Sequence, residues 1–349
     1  MKALLGRRIL ESAGQKNIAG EIDASDLPIN DDDRVHSRES TDLKSFELPQ
    51  LIIKQGWSAR TGRFEAGIVR NSLDGHGVLC SQSFISVSSD PECQQVLDTA
   101  CDVYNSILAV YYLLLTSGRF ASYRPEPTAT DLLSLPIPKP RSAARADSSD
   151  HMRDLFELTE AELSLVEDLF QYTLPDFKGD SESPGRLRTA RGAVHDELER
   201  YCETFMRVLK SGFGEEKHLA ATVFEEIQES DPLPLRMLVI HLDLVRSDAV
   251  VVRRESIQPG KLLEMLQRLR PSVVNDPKNT RSGALRNRPV RIYTSFLIEE
   301  RQVPSVVLIK PDQMRYWTRA AALYDADEVA ADIMRWSTRG VFAKRARVH

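Results

Sequence analysis

The stretch from Glu92 to Thr116, ECQQVLDTACDVYNSILAVYYLLLT, constrains the chain more than any other. Val96, Ala100, Val103, Ile107, Val110, Tyr111 and Leu114 recur at spacings of three and four, which predicts one long helix with an apolar stripe; Pro91 suits its first turn. The run SILAVYYLLL reaches only about half of the roughly 20 residues needed to span a bilayer, and Asp98, Asp102 and Asn105 lie in the same helix. The stripe is therefore expected to face a protein core.

What surrounds this helix predicts a mixed architecture. Upstream, Leu51–Ile53, Ala66–Val69 and the segment GVLCSQSFISVSS read as strands, with Phe84, Ser86 and Ser88 on one face and Ile85 and Val87 on the other. Downstream, Gly118 ends the helix, an aromatic and basic loop follows, and alternating Leu and Pro in DLLSLPIPKP close the stretch. The proline- and serine-rich LPIPKPRSAARADSSD marks a boundary near residue 140. Beyond it, Thr159 with Glu162 caps a helix over about 160–172, and Leu198, Tyr201, Phe205, Val208 and Leu209 stripe a second over about 194–212. LPLRMLVIHLDL, AVVVRRESI, VRIYTSFLIEE and PSVVLIKP read as strands, while KLLEMLQRLR and AAALYDADEVAADIMRWS read as helices. The expected fold class is α+β with two domains: an N-terminal α/β domain at 46–140 built on the long helix, a linker with one helix at 141–192, and a mixed α+β domain at 193–349. Residues 1–45 are acidic and poor in core residues apart from a short helix near Leu4–Ala13, and are expected to be a poorly ordered leader.

With 349 residues, 42% hydrophobic and 28% charged, the chain has an ordinary globular composition, and a soluble cytoplasmic protein is expected because no secretory signal is evident. Cys80, Cys93, Cys101 and Cys202 lack metal or CxxC spacing and are expected to be reduced and buried. The net charge of −5 conceals an asymmetry: residues 250–349 hold 19 Lys+Arg against 10 Asp+Glu, a balance of +9, leaving −14 for the remainder. A basic end suits a polyanion, an acidic partner or the chain's own acidic residues.

Catalytic signatures are not found: no GxxxxGK[ST] loop, no GxGxxG after a strand, no HExxH and no GxSxG. No cofactor or metal is expected. SLDGHGVL reads as a turn between strands, the acids Asp325, Asp327 and Glu328 as a solvated helix face, and the seven histidines as scattered singly. The informative pattern is cations beside aromatics. IKQGWSARTGRF carries Lys54, Trp57, Arg60 and Arg63; SGRFASYRPEP carries Arg119, Phe120, Tyr123 and Arg124; DPKNTRSGALRNRPVR carries Lys278, Arg281, Arg286, Arg288 and Arg291; VVLIKPDQMRYW adds Lys310 and Arg315. Such sets suit phosphate contact with base stacking or edge reading, and predict double-stranded DNA as a partner.

The ordered series LPQLIIKQGW, VLCSQSFISV, LDTACDVYNSILAVYYLLLTSGRFASYRPEP and DLLSLPIPKP, over residues 48–140, resembles the target-recognition region that follows the catalytic domain in DNA adenine amino-methyltransferases of restriction-modification and phage-defence systems, and the resemblance implies that LPIP forms a Pro-containing strand closing the domain. LVEDLFQYTLPDFKGD, RYCETFMRVLKSGFG and LIKPDQMRYWTRAAALYDADEVAADIMRW are similar to the C-terminal extension of large methylase-like proteins of bacterial defence clusters. The glycine-containing cofactor motif and the Asn/Asp-Pro-Pro-aromatic motif of those enzymes do not occur; NDPKN at 275–279 has a single proline. The resemblance implies a non-catalytic DNA-recognition or adaptor subunit of an anti-phage complex, acting with a separate methyltransferase, helicase or nuclease chain from the same operon. The alternative is a C-terminal domain that is itself a divergent nuclease or phosphodiesterase, with Asp312 as its test residue.

Overall fold

The computed structural model describes residues 4–11, 18–31, 43–58, 61–120, 126–140, 149–189, 197–213, 218–226, 234–244, 252–258, 260–262, 264–265, 267–268, 290–298 and 300–338. The architecture is α+β. Spatial contacts divide the chain into two compact units, Met1–Phe170 and Gln171–His349.

In the first unit, β1 (Ile9–Leu10), β2 (Gly20–Glu21), β3 (Gln50–Lys54), β4 (Ala66–Val69), β5 (Leu79–Cys80) and β6 (Phe84–Ser88) precede the helices. A four-stranded sheet runs in the order β2-β4-β3-β6, with β3 antiparallel to β4 and β6 and with β2 parallel to β4; β1 and β5 form a separate parallel pair. Ile52, Val69, Val78 and Phe84 bury one face of this unit against Leu10, Ile18, Ile22, Ala24 and Leu27. The described part of residues 1–45 is thus core-forming and not a loose leader, and β1 stands inside the segment expected to be helical. Close approach explains how so polar a segment packs: a Cβ at Gly67 would lie 2.2 Å from the Ile18 carbonyl oxygen, so only glycine admits the crossing. Gln50, fully buried, bonds the Val78 backbone through both ends of its amide, at 2.7 and 2.8 Å.

The expected single helix is two: α1 (Gln94–Tyr104) and α2 (Ile107–Thr116), after a 3-10 turn over Pro91–Cys93. Asn105 and Ser106 make the break. The Asn105 amide donates to the Ala66 oxygen at 2.8 Å and accepts from the Ala66 nitrogen at 3.0 Å, beside the point where β2 starts on β4. Ser106, extended at ψ 162°, then caps α2 by accepting from the Ala109 nitrogen at 3.4 Å. Past α2 the expected strand is instead a short helix, α3 (Ala129–Leu133), started by a Thr128–Asp131 capping box, and residues 136–140 carry no regular structure. α4 (Ser149–Phe156) and α5 (Glu160–Asp168) complete the unit; α5 has the anticipated Thr159–Glu162 capping box but gives way to a π-helical turn over Leu169–Thr173.

In the second unit, α6 (Leu174–Phe177) and α7 (Glu197–Phe213) lead into β7 (His218–Glu226), β8 (Leu235–Leu244), β9 (Val252–Ile257), β10 (Val290–Ile298), β11 (Arg301–Pro311) and α8 (Arg319–Thr338). The sheet order is β10-β11-β8-β7-β9, antiparallel except for β7 with β9. One face, with Leu238, Ile240, Val306 and Leu308, buries Tyr201, Phe205 and Leu209 of α7 and Ala322, Ala326 and Val329 of α8. The other carries Met237, Val239, Ile292, Val307 and Ile309. β7, over which no element was expected, is covered on both sides: Ala221 and Val223 face the helices while Thr222 and Phe224 face the opposite side. Among the described residues no helix is long and apolar enough to cross a membrane. Cys101 and Cys202 are buried as anticipated, but Cys93 is exposed at the end of the Pro91–Cys93 turn.

Candidate nucleic-acid interface

Beyond the paired ends of β3 and β4 the two strands continue as a hairpin arm. The Lys54 nitrogen donates to the Glu65 oxygen at 2.9 Å, the Ser58 nitrogen to the Arg63 oxygen at 3.0 Å, and the Gly62 nitrogen to the Ser58 oxygen at 2.8 Å. Gly62 has φ +67°, a backbone hand that favours glycine, and a Cβ there would stand 3.2 Å from the Phe170 ring, which would have to shift to admit it. The arm meets the segment after α2: the Trp57 ring lies edge-on to Phe120 at 6.4 Å, Phe120 contacts Phe64 at 5.2 Å, and the Gln55 amide donates to the Pro127 oxygen at 3.2 Å. The turn carrying Arg119 is fastened in its own right. Ser117 donates to Asp131 at 2.9 Å and accepts from the Phe120 nitrogen at 3.2 Å. The Thr128 backbone N–H, with help from the Ser117 hydroxyl and from Arg119, holds the Asp131 carboxyl below the usual carboxylate range.

Trp57, Arg63 and Arg119, separated in sequence, are thereby brought to one region of the first unit. Their charges differ in availability. Lys54 is paired with the buried Glu65 at 3.3 Å. Arg63 is exposed, with its guanidinium 5.6 Å over the Phe170 ring, and among the described residues no hydrogen bond or ion pair takes its donors. Arg119 is also exposed. Arg60, Tyr123 and Arg124 lie outside the described residues, as do Lys278, Arg281, Arg286 and Arg288.

In the second unit the sequence expectation for Lys310 is overturned. Its side chain is 3% exposed, ion-paired to Asp325, and donates to the Tyr316 oxygen at 2.9 Å and the Tyr201 hydroxyl at 3.1 Å, with the Tyr201 and Trp317 rings beside it. No phosphate can reach a cation so enclosed. Asp325, expected on a solvated face, is equally buried. Arg315 is paired with Asp176 at 2.7 Å and lies over the Tyr316 ring. Arg291 is paired with Glu328, and Tyr293 donates to Asp332 at 3.0 Å, so α8 offers carboxylates at 325, 328 and 332 to sheet residues opposite them. Asp312, the test residue for cleavage, accepts from Thr189 at 2.6 Å, Arg188 at 2.9 Å and Arg236 at 3.3 Å; its oxygens are committed to the fold. Among the described residues no group of three or more His, Cys, Asp or Glu is placed to hold a metal ion. An open groove of about 670 Å³, lined by Lys44, Glu47, Ser86 and Asp90, shares none of the basic and aromatic residues.

Comparison with models of protein families, with curated proteins and with solved structures finds no match. The site therefore rests on its own geometry. Sequence reasoning missed Phe170 and Glu65. Phe170 sits more than a hundred residues from the hairpin it supports, and nothing in its neighbourhood LVEDLFQY marks it. Glu65 had a local signal, since it stands across the strand pair from Lys54 and can neutralise it.

Proposed function

We propose that the chain is a non-catalytic DNA-recognition or adaptor subunit of a bacterial restriction-like anti-phage complex, with the first unit contacting duplex DNA and a separate methyltransferase, helicase or nuclease chain supplying the chemistry. The observation that carries this reading is the Trp57–Phe120 contact, which joins the hairpin to the turn after α2 and gathers an aromatic ring and two exposed arginines. Guanidinium groups beside an aromatic surface suit contact with phosphates and base edges. The resemblance over residues 48–140 supplies the choice of duplex DNA among polyanions.

Fluorescence anisotropy of the full chain with a labelled duplex, titrated across salt concentrations, tests the reading. Each phosphate contact contributes about 0.9 to the slope of log K against log salt. Arg63→Ala with Arg119→Ala is expected to weaken binding at least about tenfold without lowering thermal stability. Absence of any duplex binding at low salt, alone and with the operon neighbours, overturns it.

A further inference from the structure

We propose that Arg63, held over the face of Phe170, is a pre-oriented fork that reads the O6/N7 edge of a guanine in the major groove. This rests on the DNA-binding reading above and goes beyond it in naming the contact and the residue behind it. An aromatic ring attracts a guanidinium through its face and consumes none of the cation's N–H donors, which leaves a planar fork for a planar pair of acceptors. Arg63 fits that description: it is exposed, 5.6 Å from the Phe170 centroid, with no hydrogen bond or ion pair to its guanidinium among the described residues. The backbone beneath it is fixed as well. The Arg63 oxygen accepts from the Ser58 nitrogen at 3.0 Å, and Gly62 is pressed so closely on Phe170 that a Cβ would come within 3.2 Å of the ring. A side chain held in this way loses less freedom on forming two parallel hydrogen bonds.

A bidentate acceptor pair could come from a phosphate or from a guanine edge, and the hairpin favours the base. Lys54, the cation nearest the strands, is neutralised by Glu65, whose side chain is 3% exposed. A surface built to grip phosphate would leave that ammonium free and would not keep a carboxylate beneath it. A two-stranded arm, moreover, has the width that the major groove admits.

The test is selection of duplexes with a randomised core by the full-length protein, followed by affinity measurement on the enriched motif. The wild type is expected to enrich a motif with at least one guanine at which 7-deazaguanine, lacking the N7 acceptor, weakens binding. Arg63→Lys, which keeps the charge and loses the fork, should reduce the preference for that guanine by about 5- to 150-fold. Phe170→Leu should weaken it about 2- to 5-fold with an unaltered salt slope and an unaltered circular dichroism spectrum, while Phe170→Tyr retains it. If Arg63→Lys selects the same motif with the same guanine preference, or if the neutral Arg63→Gln lowers the salt slope by about one and leaves the guanine preference unchanged, Arg63 is at most a phosphate contact and the inference fails while DNA binding stands. A wild type that binds no duplex overturns both.

Discussion

Lys310 lies at the end of β11 with its ammonium against the Asp325 carboxylate, the Tyr201 hydroxyl and the Tyr316 carbonyl. Burial pushes its pKa down and Asp325 opposes that shift; burial pushes the Tyr201 hydroxyl well up, with Asp325 adding to it. Removing one member of such a pair leaves a charge in the core, so Lys310→Met is expected to cost about 3–5 kcal/mol. Lys310→Met with Asp325→Leu should recover most of that loss, and denaturant titration of the two variants checks it. His241 offers a pH test. Burial pushes its imidazole below the ordinary 6.5, with Arg253 adding, while its ring nitrogens meet Thr222 at 3.2 Å and Ser305 at 2.9 Å. The folded state therefore binds fewer protons than the unfolded chain just below pH 6.5. This contribution is fully present above about 6.5 and is lost as pH falls through the lower folded value. Melting curves between pH 5 and 8 should show that decline in the wild type and a smaller one in His241→Gln.

At the scale of elements, the division of Glu92–Thr116 into α1 and α2 follows from a side chain that serves a strand. Asn105 satisfies the Ala66 N–H and C=O beside the start of β2. Asn105→Ala leaves both backbone groups without that partner and is expected to cost about 2 kcal/mol. Ser106→Ala, which removes the α2 cap, should cost about 1 kcal/mol. Thermal unfolding of each variant checks these values. A hydrophobic stripe at three-four spacing predicts helix on both sides of Asn105 and is blind to the break, since one or two residues of irregular backbone hardly disturb the stripe. α8 makes the complementary point. Its length was legible in AAALYDADEVAADIMRWS, but whether Asp325, Glu328 and Asp332 meet water or cations depends on Lys310, Arg291 and Tyr293, which are carried by other elements.

Over the whole molecule, the basic end that suggested a polyanion is in part neutralised at home. Arg254, Arg291, Arg301, Lys310, Arg315 and Arg335 are each paired with a carboxylate of the second unit. Their contribution to phosphate binding is correspondingly small. Arg315→Gln and Arg301→Gln are expected to leave the salt slope of DNA binding unchanged, whereas Arg119→Ala lowers it by about 0.9. The anisotropy titration described above distinguishes these variants.

The α+β class, the core strands β3, β4 and β6, the cap at Thr159, the helical turn opened by Pro91, and the buried stripe of α7 were determined by sequence alone, because periodicity and capping are local and act through neighbours a few residues away. The membership of Leu10, Ile18 and Leu27 in the core, the meeting of Trp57 with Phe120, the support of Arg63 by Phe170 and the burial of Lys310 on Asp325 were decided only by tertiary structure. A cation's availability depends on which distant carboxylate or ring the fold sets beside it, and that proximity has no period along the chain.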